Sequence, residues 1–279
     1  MFRSLSPGAI GLKVAGLEEG MKLAAKHGFE GYHFGIDEAA KLGVAKVSDL
    51  AESTGVRPSA WGFPLRFRGE SSEYEASLAE LPRLAAAAAQ LGVLRTATWI
   101  VPASDELTYE ENFKFHAERL KPAAGILSEH GIHLGLEYVG PSTSRRGKKH
   151  EFAHTMAQMM DLCRTVGSNV GFLLDAWHWY TAGETEEDLR RLSAEQVVDV
   201  HVNDAPDKPV DEQIDNVRAL PGETGVIDIA TFLKTLKDIG YDGPVMVEPF
   251  SDRVRQMSAD DACATTGAAL NQVWAQAGL

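Results

Sequence analysis

Four short apolar runs of the chain each end in one side chain able to bind a metal. They are Ile132-His133-Leu134-Gly135-Leu136-Glu137, Gly171-Phe172-Leu173-Leu174-Asp175, Val197-Val198-Asp199-Val200-His201 and Val245-Met246-Val247-Glu248. Side chains alternate faces along a β-strand. In each run, therefore, Ile132, Leu134 and Leu136, Phe172 and Leu174, Val198 and Val200, and Val245 and Val247 point away from the terminal ligand. All are bulky and apolar, as a sheet face under a layer of helices requires. Glu137, Asp175, His201 and Glu248 project from the other face, each at the C-terminal end of its run. A lone Glu or Asp there is ordinarily a helix cap or a surface group. Four in one register are not explained that way, and strands of one barrel or sheet aim them at a single point. Three carboxylates and an imidazole without a thiolate suit one divalent cation, Mn²⁺, Mg²⁺, Co²⁺ or Zn²⁺.

Positioning four strand ends together needs a regular scaffold, and the rest of the chain alternates strand and helix. Strands are expected near Ala9–Val14 and over Gly31–Phe34, Val56–Trp61 and Val93–Ile100, ahead of the four ligand strands. Helices are expected over Leu17–His27, Glu38–Thr54, Ser72–Leu91, Tyr109–His130, Glu151–Val166, Glu184–Ala194, Ile227–Ile239 and Ala259–Ala277. Several helices stop at a glycine just before the next strand, as at Thr54-Gly55 and His130-Gly131, where a left-handed C-cap carries no Cβ penalty. Eight strand–helix units in strict alternation predict an α/β fold, a (β/α)8 TIM barrel forming a single domain over residues 1–279. An open doubly wound sheet is the competing architecture, but no strand is followed by a Gly-rich dinucleotide loop. The longest irregular stretches, Asn203–Gly225 and Gly140–Lys149, both follow ligand strands and so belong to the catalytic face.

A formal charge of −13 disfavours nucleic-acid backbones and anionic membranes as partners. Cys163 and Cys263 lie in expected helices without metal-type spacing and read as buried thiols in a reducing compartment. The N-terminus lacks a signal-peptide core and no run is long enough to span a bilayer, so a soluble cytoplasmic protein is expected. A homo-oligomer is left open.

The runs Gly135-Leu-Glu137-Tyr, Leu174-Asp175-Ala-Trp-His178, Val200-His201-Val-Asn-Asp204 and Met246-Val-Glu248-Pro resemble those of the xylose-isomerase-like sugar (phosphate) isomerases and epimerases. That group includes ketose 3-epimerases, hydroxypyruvate isomerase, inosose dehydratase and endonuclease IV-type enzymes. The resemblance covers essentially the whole chain and is specific for the superfamily rather than for a substrate. It implies that Glu137, Asp175, His201 and Glu248 hold the metal, and that His178 and Arg218 contact substrate oxygens near the reacting carbon. The chain departs from the family's tract of Arg, two residues and Pro-Gly-x-Gly. Here Arg218-Ala-Leu-Pro221-Gly222-Glu223-Thr224-Gly225 is one residue longer, and Ala205–Val217 adds loop between His201 and Arg218.

The expected activity is metal-dependent isomerisation or epimerisation of a small sugar or keto-sugar. The cation would stabilise an enediolate as it forms, with Glu137 and Glu248 removing and returning the proton. A lyase or dehydratase acting on a keto-sugar or inosose at the same site is the alternative. An abasic-site DNA endonuclease is a remote one, since it needs further histidines where the chain has Trp61 and Trp99. A non-catalytic sugar-binding protein would not need a complete ligand set. His33, Trp61 and Trp99, near the ends of strands two, three and four, are expected as substrate-binding residues, the tryptophans as an apolar wall or as rim packing. Asp204 is either a residue that orients His201 or a turn residue. The basic run Arg145-Arg146-Gly147-Lys148-Lys149 reads as a solvated loop beside a neutral substrate, with an anion grip as its alternative, for which Arg66 and Arg68 are also candidates.

Overall fold

The computed structural model describes residues Met1–Leu279. Eight parallel strands close into a barrel in sequence order: Phe2–Leu5, Gly31–Phe34, Arg57–Gly62, Arg95–Trp99, His133–Glu137, Val170–Asp175, Val197–Val202 and Pro244–Val247. The first and eighth strands pair to complete it. Helices cover the outside, and the residues read as helix-facing are buried throughout: Leu134, Leu136, Phe172, Leu174, Val200 and Val245 are fully enclosed. The barrel is therefore a two-layer fold whose apolar seam lies between strands and helices. Both cysteines are buried free thiols, and Cys163 Sγ donates to the Gly171 carbonyl. No helix is long and apolar enough to cross a membrane.

The register of the second half of the barrel fixes the site. Asp175 pairs with His201, His201 with Met246, and Trp99 with Glu137. Close approach of these strands depends on glycines below the ligands. A Cβ at Gly171 would stand 2.3 Å from the Gln196 carbonyl oxygen, and one at Gly135 would stand 2.8 Å from the Leu173 nitrogen.

Three expectations are corrected. The first strand is Phe2–Leu5, and Pro7–Gly11 forms turns. Its inner positions carry small polar groups instead of apolar ones, with Ser4 Oγ 2.6 Å from Ser59 Oγ and Ser6 Oγ 3.2 Å from His33 Nδ1. The apolar alternation of Ala9–Val14 instead belongs to a turn that buries Ile10. The expected helix over Glu38–Thr54 is two, Ile36–Leu42 and Val44–Thr54, broken at Gly43 with φ of 87°. The expected Glu151–Val166 helix begins only at Met156, because His150–Glu151 pairs antiparallel with Ala103–Ser104 over the catalytic face.

Gly171→Ala should lower the unfolding free energy by about 1–3 kcal/mol, the range for overpacking against rigid neighbours. Urea denaturation measures it, and an unchanged midpoint would mean that strands six and seven are not in this contact.

Candidate metal centre

One ligand atom from each of Glu137, Asp175, His201 and Glu248 lies within 4.8 Å of the other three, at the C-terminal ends of strands five to eight. Asp175 sits where its strand turns into the helix Ala176–Thr181, and it caps that helix: Oδ1 accepts from the Trp177 amide at 2.8 Å. The same oxygen accepts from Asn203 Nδ2 at 2.9 Å, which leaves Oδ2 facing the cluster. Asn203 follows His201 by two residues and so shares its face; that spacing was available in the sequence and makes Asn203 an orienting partner of Asp175.

Two polar atoms of the cluster are buried without a hydrogen-bond partner, Glu137 Oε1 and His201 Nδ1, and they stand 4.0 Å apart. His201 Nδ1 is also 3.4 Å from Glu248 Oε2. Buried polar atoms normally find partners, so two orphans converging with carboxylate oxygens on one point fit a small divalent cation. The electrostatics agree with a missing positive charge. Burial, reinforced by the Glu248 and Asp175 charges, pushes the Glu137 carboxyl well above the usual range. Burial also acts to raise Glu248, but His201 and Arg218 outweigh it and hold that carboxyl low. Burial would lower His201, yet Glu248 and Glu137 carry it up to about 10.

His178 and Arg218 both reach the cluster. His178 Nδ1 accepts from the Gly140 amide at 3.1 Å, which assigns the proton to Nε2. Nε2 then faces Glu137 Oε1 at 3.9 Å and Asp215 Oδ1 at 3.8 Å, with Arg218 Nη2, itself only a donor, beside it at 3.5 Å. Burial first, then the Arg218 and His201 charges, hold His178 down at about 3, so it is a neutral donor. Arg218 Nη1 donates to Asp175 Oδ2 at 2.8 Å and to Glu248 Oε2 at 3.2 Å, despite the lengthened tract. Asp204 explains how that tract is delivered. Its carboxylate accepts from the amides of Ala205, Thr224, Gly225 and Ile227, and its backbone pairs with Ala219. Asp204 thus folds the loop and does not orient His201.

Trp99, His178, Asp215, Arg218, Glu137 and Glu248 line a cavity of about 370 Å³ above the cluster. Trp99 is 47% exposed at its mouth, with the Arg68 guanidinium 4.1 Å from its ring centre. His33 lies below, its Nε2 buried and unpartnered, and burial together with the nearby His201 holds it down at about 4. Trp61 is not part of the site. The pairing of strands two and three skips Ser59, and this bulge turns Trp61 out of phase, into register with Thr96. Its ring is fully buried in the core and its Nε1 donates to the Val93 carbonyl at 3.3 Å.

The basic run is exposed from Arg146 to Lys149, and three of its cations are engaged by the chain itself. Arg145 donates to the carbonyls of Gly140 and Pro141, Arg146 to that of Asp211, and Lys148 pairs with Asp105 at 2.6 Å. Arg66 pairs with Glu73. Asp215 and Phe250 were missed by sequence reasoning, Asp215 because it lies in an irregular loop with no period to read. Phe250 is the one non-glycine residue with positive φ, 38°, and its ring stacks 4.5 Å from the Arg218 guanidinium.

Comparison with known proteins gives a match to the model described as the xylose isomerase-like TIM barrel over residues 21–272. The chain is 26% identical to an inosose isomerase of Bacillus velezensis, over 91% of this chain and 90% of that protein. A shorter match, 32% identical over 50% of this chain and 21% of the other protein, is to a 3-dehydroshikimate dehydratase of Pseudomonas aeruginosa. A solved xylose isomerase domain protein from Alicyclobacillus acidocaldarius superposes with a TM-score of 0.89 at 28% identity, with both chains covered to 100%.

His201→Ala should weaken binding of a divalent cation by at least about 100-fold, beyond the usual cost of losing a mere outer-shell partner. Elemental analysis after dialysis reads the occupancy and circular dichroism the fold. Full occupancy in a folded variant would remove His201 from the ligand set.

Proposed function

We propose that this chain, which belongs to the xylose isomerase-like TIM-barrel family, is a divalent-metal-dependent isomerase or epimerase of a small sugar or keto-sugar. The observation that carries this reading is the Glu137–Asp175–His201–Glu248 cluster at the floor of a sugar-sized cavity. A cation held by these four residues would supply Lewis-acid stabilisation of charge developing on substrate oxygens.

The protein's own groups account for the rest. Glu137 and Glu248 come from the fifth strand and from just past the eighth, so a substrate carbon between them meets a carboxylate on either side. The two stand in unlike surroundings, Glu137 facing His178 and His201 and Glu248 held by Arg218 and His201, as the two carboxylates of an acid–base pair require. One removes the proton beside the carbonyl and the other returns it. Return to the opposite face of the same carbon inverts a centre, and return to the neighbouring carbon isomerises aldose and ketose. His178 Nε2–H, neutral and fixed by Gly140, donates to a substrate oxygen, and Arg218 provides a second donor. Trp99 forms an apolar wall at the mouth.

The inosose isomerase relative supports isomerisation. The dehydratase match supports a second reading, in which the protonated carboxylic acid delivers its proton to a departing hydroxyl. A single group of metal-type side chains, rather than several, favours either sugar reaction over an abasic-site endonuclease. A neutral substrate is favoured because Arg145, Arg146 and Lys148 of the basic run that follows strand five already bond to loop carbonyls and an acid.

Glu137→Gln and Glu248→Gln should each cut turnover by about 100- to 10,000-fold, the usual span of a general acid or base. Metal is held in excess during a screen of free ketoses and inososes in deuterium oxide, and the wild-type product should carry solvent deuterium. Wild-type rates in either variant, or turnover without exchange, would place the proton transfer elsewhere.

A further inference from the structure

Arg218 occupies an unusual place for a group expected only to touch substrate. Its side chain is 1% exposed, and Nη1 bonds two of the four metal-type ligands, Asp175 Oδ2 at 2.8 Å and Glu248 Oε2 at 3.2 Å. The other side of the same guanidinium is held by Asp215, which accepts from Nη2 at 2.9 Å through Oδ1 and from Nε at 2.8 Å through its backbone oxygen. Asp215 lies outside the four-ligand group. One fork therefore bridges the metal ligands and a carboxylate on the added loop.

We propose that Arg218 is the built-in counter-cation of the metal ligands, and that Asp215 retains its charge when a divalent cation displaces it. This rests on the metal reading above. A carboxylate oxygen that accepts from a guanidinium offers that lone pair to nothing else, and a guanidinium repels a nearby cation. Metal binding therefore weakens the Nη1 bonds to Asp175 and Glu248, whose oxygens keep a second lone pair for the cation. The planar fork, unlike an ammonium, keeps its Nε and Nη2 bonds to Asp215 as those bonds weaken.

The retaining side is built to stay in place. The loop bearing Asp215 is stitched to the loop after strand five, with Thr143 Oγ1 donating to the Gln213 carbonyl at 2.6 Å and Arg146 to the Asp211 carbonyl at 2.9 Å. Phe250 and Trp177 offer ring faces 4.5 and 5.2 Å from the guanidinium carbon. Phe250 does so from the only left-handed non-glycine backbone in the chain, the kind of strain that collects at functional sites. Asp215 is thus a positioning residue for Arg218, acting on metal affinity through it.

The account fixes signs. Removing Arg218 removes a competitor, so affinity for metal rises. Removing the Asp215 charge leaves Arg218 bound to the metal ligands alone, so affinity falls. That second effect disappears when Arg218 is absent.

The test strips the purified full chain with a chelator and titrates it with Mn²⁺ alone by calorimetry, with circular dichroism as the fold control. Arg218→Gln is expected to tighten binding about tenfold and Asp215→Asn to weaken it about tenfold, within the usual range of coupling between two sites. In the Arg218→Gln background Asp215→Asn should change affinity by less than about threefold, the non-additivity expected of groups in one network. Weaker or unchanged binding in Arg218→Gln overturns the inference alone. So does an equal Asp215→Asn loss in both backgrounds, which is plain charge attraction. Absence of binding in every variant, wild type included, overturns the metal reading with it. If Arg218→Gln does not fold when stripped, Arg218→Lys replaces it, since an ammonium cannot span both sides. An undiminished Asp215→Asn loss there counts against the proposal.

Discussion

Three carboxylates converging on one point, two of them buried and Glu248 half-buried, are the constraint on which the rest of this structure depends. Two unit charges 4.8 Å apart repel by about 3–4 kcal/mol at an effective dielectric constant of about 20, and three such pairs cannot stand uncompensated in a domain of ordinary stability. Positive charge must be supplied. In the protein's own residues it comes from His201, carried up to about 10, and from Arg218, whose fork lies across Asp175 and Glu248. Even so, Glu137 is driven well above the usual carboxylate range. A divalent cation at the same point answers all three at once.

The surrounding architecture can be understood as what that concentration of charge requires. Asn203 and the Trp177 amide fix the Asp175 carboxylate, so that one oxygen alone faces the cluster. Gly135 and Gly171 let strands five to seven approach closely enough for the ligands to meet. Asp204 gathers four amides and so shapes the loop that returns Arg218 over the site. The basic run after strand five, read as a solvated loop with an anion grip as its alternative, ties this loop to its neighbour through the bond from Arg146 to the Asp211 carbonyl.

The convergence of the four residues was legible in the sequence because two periodicities coincide at the strand ends. Alternation marks the apolar face, and a metal-type side chain terminates it in phase, so register alone brings Glu137, Asp175, His201 and Glu248 together. Helix limits were legible where a glycine stops the helix, as at Thr54-Gly55, where Gly55 takes the left-handed φ of 69°. Strand one was not, because its inner face holds Ser4 and Ser6 against Ser59 and His33, a polar pattern with no apolar alternation. Trp61 misled for a different reason: a single skipped residue at Ser59 reverses the facing of everything after it. Asp215 and Phe250 act through loop geometry and a strained backbone, and neither leaves a periodic trace. Arg218 was legible as a residue near the cluster, but its bridge from Asp175 and Glu248 to Asp215 exists only in three dimensions.

The central claim is that the four strand-end ligands share one divalent cation. Anomalous diffraction from crystals of the Mn²⁺- or Zn²⁺-loaded protein tests it most directly. The account predicts one strong peak per chain within bonding distance of Glu137, Asp175, His201 and Glu248, with Arg218 withdrawn from Asp175. A loaded crystal with no peak there, or with its only peak at other residues, would contradict it.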